Sequence, residues 1–362
     1  MLASPHRLKL AVFAANVAGG NNLTTAPEAL DGSWAGSLAV AQRADRLGVE
    51  ALLPIARWRG LAEPSRRAAH RTFETFTWAA AVAACTRDIG VFATAHVPLQ
   101  HPVQVAKMIA TIDHVSDGRF GLNVVAGWNE LELRMFGEHA EQSAEDRYAV
   151  AAEWLAFLRR CWSEPEEFDS RGEWFSGEGV LSEPRPVQSP GPLVIGAGSS
   201  PSGRAFAAEH CDLHVALLPS VEDADQVVKE VTEAAGRFDR TLALWSPVHV
   251  VVGDTPAWAR AAYERMVEQV GDWQAAQTAL SMLVPGGVPD PVARHELGAS
   301  AIAGFFALAV VGDADEVIEQ LLALSAAGVD GVALSFLDYS DGLDRLEHDL
   351  LPRLVDAGLR EG

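Results

Sequence analysis

Short apolar runs alternate with amphipathic stretches along this chain. Leu8 to Ala14, Glu50 to Ile55, Asp88 to Thr94, Arg119 to Val125, Leu193 to Ile195, Leu213 to Leu218, Leu242 to Val252 and Gly331 to Phe336 read as strands. They are rich in Val, Ile, Leu and Ala and do not alternate with polar residues, the pattern of parallel strands buried on both faces. Between them lie helical spacings. Ser37 to Leu47 places Val40, Ala41, Ala44 and Leu47 on one face and stops at Gly48. Phe73 to Ala84, Pro102 to Val115, Asp146 to Trp162, Pro201 to His210, Val221 to Phe238, Pro256 to Val270 and Asp313 to Ala327 read as further helices. Eight strands separated mostly by helices predict an α/β fold, a (β/α)8 TIM barrel with insertions in its βα loops, formed by residues 1–362 as one domain. A doubly wound open sheet is the alternative.

Three connections exceed a tight βα loop. Gly20 to Trp34 is rich in turn formers. Ser163 to Pro190 carries four prolines and the pair Trp174-Phe175, suggesting a small hairpin or excursion. Val284 to Ala299 carries Pro and Gly and is expected to form a lid.

Composition narrows the function. The 362 residues are 49% hydrophobic and 21% charged, with a formal charge of −21. Such a surface repels nucleic acid and anionic membranes. No apolar stretch reaches membrane-spanning length and the N-terminus lacks a signal pattern, so a cytoplasmic protein is expected. The three cysteines have no metal-ligand spacing. Cys85 and Cys161 stand in apolar helical text, where cysteine is a small buried hydrophobe. No metal site is expected.

In a barrel, chemistry sits where strands end. The segment Ser116 to Glu132, SDGRFGLNVVAGWNELE, enters a strand and breaks at Ala126-Gly127-Trp128-Asn129. It reads either as a site or as a buried strand with a turn. Thr94 and His96 end the preceding strand. His101, before Pro102, reads as a helix-start residue. Ile195-Gly-Ala-Gly-Ser-Ser-Pro-Ser-Gly203 follows a strand and opens a helix, where backbone N–H groups and the hydroxyls of Ser199 and Ser200 suit a phosphate. The next strand lacks the acidic residue that holds a nicotinamide ribose, so one phosphate fits better than a pyrophosphate. Arg147-Tyr148 can hold a phosphate by charge and hydroxyl, or form a solvated helix face. Arg57-Trp58-Arg59-Gly60 can hold an anionic or carbonyl-bearing ligand, or be a solvated loop. With few acid–base groups, the site suits a reaction whose hard step belongs to a bound cofactor.

Four blocks, ATIDHVSDGRFGLNVVAGWNELE (Ala110 to Glu132), EDRY (Glu145 to Tyr148), VIGAGSSPSGRAFAAEHCD (Val194 to Asp212) and AGVDGVALSF (Ala327 to Phe336), make the chain resemble the bacterial luciferase-like flavin-dependent monooxygenases. It is most similar to the subgroup with pyrimidine- and dimethylsulfone-oxidising enzymes. The resemblance implies a two-component monooxygenase that uses FMNH2 and O2, oxidises a small polar substrate through a flavin–oxygen adduct, and receives reduced flavin from a separate NAD(P)H:flavin reductase. It implies flavin contacts at Ala56, Arg57, Thr94, Asn123 and Glu132, phosphate contacts at Arg147, Tyr148, Ser199 and Ser200, and catalytic roles for Asn123 and Thr94, with His96 beside them. A homodimer or homotetramer is expected by the same resemblance. The loop Arg57 to Arg71 (RWRGLAEPSRRAAHR) departs from the relatives' Gly/Phe-rich loop, which puts a pyrimidine substrate in doubt. An F420-dependent reductase or dehydrogenase on the same fold, and a non-catalytic flavin-binding barrel, remain open.

Overall fold

The structure, a computed structural model, describes residues 4–137, 143–284 and 286–361. The first residues of the N-terminal stretch and Pro285 of the expected lid lie outside them. The strands are β1 (Lys9–Phe13), β2 (Ala51–Leu53), β3 (Gly90–His96), β4 (Phe120–Val125), β5 (Phe168–Arg171), β6 (Ser176–Val180), β7 (Leu193–Gly196), β8 (Leu213–Val215), β9 (Ala243–Val252), β10 (Leu308–Gly312) and β11 (Gly331–Ser335). The fold is the parallel (β/α)8 barrel, and all eight expected barrel strands are present.

Contacts divide the chain into two compact units. The first comprises residues 1–73, 216–229 and 244–362. In it β1 pairs in parallel with β2 and β11, and β9 pairs with β11 and β10. Every residue of β11 is buried, as the unbroken apolar run requires. The second unit comprises residues 74–215 and 230–243 and carries β3, β4, β7 and β8 in parallel register. Of these four strands, β3 is buried over all but its last residue.

Two local devices explain the segment around β4. Asp117 (φ 51) and Gly118 (φ 77) turn the chain sharply into the strand. Arg119 then donates to the carbonyls of Ala83, Thr86 and Ile89, tying the strand start to the preceding helix end. Within β4, Gly121 lies opposite Phe92 of β3, and a Cβ there would collide with the Phe92 ring. Burying that ring contributes roughly 2–3 kcal/mol, so the glycine is required by packing.

The excursion between Ser163 and Pro190 is a hairpin: β5 and β6 pair antiparallel. Two expectations need correction. Val284 to Ala299 is not one long loop, because α10 (counting Trp34–Arg46 as the first helix) runs Pro291–Gly304, capped by Asp290. The strand β10 escaped the sequence pattern, because its apolar residues continue the apolar end of that helix. The break is made by Phe305 and Phe306 in left-handed conformations (φ 47 and 70), directly after Gly304 ends the helix. Cys161 is buried as expected, but Cys85 caps the end of the helix Thr75–Ala84 and is exposed. Among the described residues no helix is long and apolar enough to cross a membrane.

Candidate active site

The second unit gathers most of the residues singled out in the sequence. Thr94 and Asn123 are register partners on β3 and β4. Asn123 Nδ2 donates to Thr94 Oγ1 at 3.2 Å. Asn123 Oδ1 is buried and has no hydrogen-bond partner. A buried carbonyl oxygen without a donor costs about 1–3 kcal/mol, so it marks a place where a ligand supplies the missing N–H or O–H.

Thr94 is itself clamped. Thr75 Oγ1 donates to the Thr94 carbonyl at 2.9 Å and accepts from the Thr94 N–H at 3.2 Å. Both threonines are buried. The clamp fixes the backbone at the end of β3, where the Thr94 hydroxyl meets Asn123. Sequence reading missed Thr75, because the pairing spans 19 residues and leaves no local pattern.

His96 ends β3, and its N–H donates to Gln100 Oε1 at 3.0 Å. Burial pushes the imidazole down to about 4, so it is neutral at pH 7. It can then exchange hydrogen bonds but is a poor proton donor. His101 is the helix-start residue anticipated: it caps Pro102–Val115 by accepting from the Val103 N–H. Asn129 caps the helix Glu130–Met135, accepting from Leu131 N–H at 3.2 Å, and so sets the position of the buried Glu132. Trp128 is partly exposed beside it.

The loop expected to hold a phosphate follows β7. Ser200 caps the helix Pro201–His210, its Oγ accepting from Gly203 N–H at 3.1 Å, with Pro201 in the first turn. Tyr148, on the helix Ala144–Ser163, reaches this loop. Its hydroxyl hydrogen-bonds Ser200; burial raises its pKa and that bond partly offsets the rise. A Cβ on Gly198 would overlap the Tyr148 hydroxyl, and one on Gly203 would lie 2.7 Å from it. The glycines therefore make room for the hydroxyl beside a run of backbone N–H groups. Arg147 precedes Tyr148 on the same helix, and Ser199 lies in the loop itself. The histidine missed by sequence reading is His214 on β8. It is buried, with Nδ1 2.9 Å from the Gly196 carbonyl and Nε2 unpartnered. Burial holds it down at about 4. A histidine inside an apolar strand was the available signal; its register opposite Gly196 was not.

Ala56 and Arg57 lie in the first unit, just after β2. Arg57 stacks over Phe305, its Cζ 5.4 Å from the ring centroid.

These features fit a flavin mononucleotide. The unpartnered Asn123 carbonyl suits a ring N–H, and the glycine cradle with Tyr148 and Ser200 suits one phosphate. Comparison with known proteins agrees: the luciferase-like monooxygenase family pattern matches residues 8–331, and the chain belongs to that family. It is therefore a flavin-dependent monooxygenase by class. It is 29% identical over 340 residues to the pyrimidine monooxygenase RutA of Allorhizobium ampelinum, covering 91% of each chain. Among solved structures it is similar to DmoA from Hyphomicrobium sulfonivorans, with a TM-score of 0.84 at 18% identity, covering 98% of this chain and 89% of that one. An F420-dependent secondary alcohol dehydrogenase in complex with an F420–acetone adduct shares the fold, with a TM-score of 0.72 at 17% identity, covering 98% and 99%.

Proposed function

We propose that the chain is the oxygenase component of a two-component system, taking FMNH2 from a separate NAD(P)H:flavin reductase and using O2 to oxidise a small polar organic molecule. One observation carries this reading: a buried, unpartnered Asn123 carbonyl locked against Thr94, in the same unit as a glycine cradle sized for one phosphate. Reduced flavin, when bound, supplies the electrons that activate dioxygen.

The chain's own residues do the rest. Asn123 Oδ1 accepts a hydrogen bond from the flavin ring, which orients it. Thr94 Oγ1 accepts from Asn123 and would offer its own hydroxyl toward oxygen. Glu132, buried beside the ring, sets the wall of the site. Arg147 supplies charge to the phosphate, and Tyr148, Ser199 and Ser200 supply hydroxyl donors. His96 stays neutral and serves as a hydrogen-bond partner, leaving proton delivery to other groups. Burial of Thr94 and Glu132 would keep water from a bound flavin and limit its wasteful breakdown. We assign the protein to the cytoplasm, as a homodimer or homotetramer acting as one catalytic domain.

Competitive titration with FMN and F420, reduced and under anaerobic conditions, tests the cofactor. Reduced FMN is expected to bind and to resist displacement by F420. Tight F420 binding with no FMN binding would replace this reading with that of a deazaflavin-dependent dehydrogenase.

A further inference from the structure

The strand β10 stands at an end of the sheet, and its strand neighbour is β9. Gly312 of β10 lies opposite Val252 of β9, and its carbonyl accepts from Gly253 N–H at 3.1 Å. In a parallel ladder each strand turns alternate residues toward its neighbour. Gly312, Val310 and Leu308 therefore bond toward β9, and the N–H and C=O groups of Ala309 and Val311 point to the other side. On that side Gln320 Nε2 donates to the Val311 carbonyl at 3.3 Å. Among the described residues no strand meets the Ala309 N–H, the Ala309 C=O or the Val311 N–H.

This edge walls a groove of about 1170 Å³ that lies wholly within the first unit. Ala309 and Val311 are half-buried along it. The chain after β8 and the helix α10 supply further walls, where Leu217 is 41% and Leu297 37% exposed. Large apolar side chains open to water beside an unpaired strand edge make a template for an added strand.

The rim is more acidic than the chain as a whole. Four glutamates (Glu222, Glu296, Glu316 and Glu319) line the groove against one cation, Arg260. The full sequence has 49 acids against 28 bases. Arg260 lies 3.8 Å from Glu316 Oε1, while Glu316 Oε2 is buried and has no hydrogen-bond partner. The other three glutamates are exposed, and among the described residues no second cation lines the groove. A second copy of the chain paired edge to edge about a two-fold axis would bring these carboxylates together, which repels. A basic strand is attracted instead.

We propose that β10 is a docking edge for a partner protein. An extended segment that alternates apolar and basic residues adds beside β10, setting its apolar side chains against Leu217 and Leu297 and its lysines or arginines against Glu222, Glu296 and Glu319. Docking requires no flavin and stands apart from the reaction proposed above.

Fluorescence anisotropy on the full chain tests this with labelled peptides of alternating valine and lysine, against counterparts in which glutamate replaces every lysine. The lysine peptide should bind about tenfold or more tightly than its counterpart, and high salt should erase the margin. The double variant Glu296→Lys, Glu319→Lys, changed at two exposed positions, should reverse the preference. Methylating the amide nitrogens of one set of alternate peptide residues should abolish binding, and methylating the other set should not, because an added strand turns only one set toward its neighbour. Val311→Pro should also abolish binding while keeping the melting temperature, since that N–H points away from β9. Should that variant fail to fold, the methylated peptides still decide. No binding by the lysine peptide, equal binding by both peptides, or binding indifferent to which set is methylated would overturn the proposal. Self-association of the chain that Val311→Pro removes would overturn it too, in favour of a second copy.

Discussion

The Asn123–Thr94 pair and Gly198 loop of the second unit and an arginine-lined cavity of about 270 Å³ in the first are built from opposite materials. Around Asn123, Thr94 and the Gly198 loop the side chains are small and mostly neutral, and shape does the work. Around Asn22 the wall is arginine and aspartate. On the proposed reading, a cofactor of fixed shape would be held by backbone groups and glycines, which leave little tolerance for change, whereas a charged wall tolerates exchange of its exposed residues.

The largest expected effect breaks the shape-based half. Gly198→Val drives side-chain carbons into the Tyr148 hydroxyl, and FMN affinity should fall about 100-fold or more, close to 3 kcal/mol. Quenching of FMN fluorescence measures it; retained affinity would show that the cradle does not hold the phosphate. Asn123→Ala should lower turnover by about 100-fold, as when one preorganised polar group is lost at a reacting centre, while changing FMN affinity far less. Steady-state turnover beside equilibrium binding checks that split.

Acid should destabilise both units by the same physics. His214 in one and His249 in the other are held neutral by burial, at about 4 and about 3 against 6.5 when unfolded. Their folded values are depressed, so the unfolded chain binds more protons between those values and 6.5. Stability is then full above pH 6.5 and lost as pH falls, by up to about 1.4 kcal/mol per pH unit for each histidine. Melting temperature followed from pH 7.5 to 4.5 should fall, and His214→Asn should flatten the decline. A slope unchanged by that substitution would contradict the assignment. The smallest effect sharpens the cradle: Tyr148→Phe removes only a hydroxyl, and FMN should bind about tenfold more weakly or less.

How much of this was legible depended on whether a feature was local. The barrel strands were visible because burial on both faces writes continuous apolar runs, and the Ser200 cap because a serine before proline starts a helix. Asn123 came from the resemblance to the luciferase-like family, not from local pattern. The Thr75–Thr94 clamp and the His214–Gly196 contact join separate elements, and only strand register reveals them. β10 was hidden because its apolar residues run on from the apolar end of the preceding helix, and the left-handed turn between them falls on two phenylalanines after Gly304. The basic loop was conspicuous in the sequence, but not that it walls a cavity with Asn22.

The central claim is that this barrel uses reduced FMN to place one oxygen atom on a small polar molecule. Anaerobic protein loaded with FMNH2 and a panel including orotate, uracil and dimethylsulfone, then mixed with ¹⁸O₂, tests it by mass spectrometry. The account predicts one ¹⁸O atom in the product and the other in water. FMNH2 that is not retained, or that oxidises with no labelled product from any member of a broad panel, would contradict it.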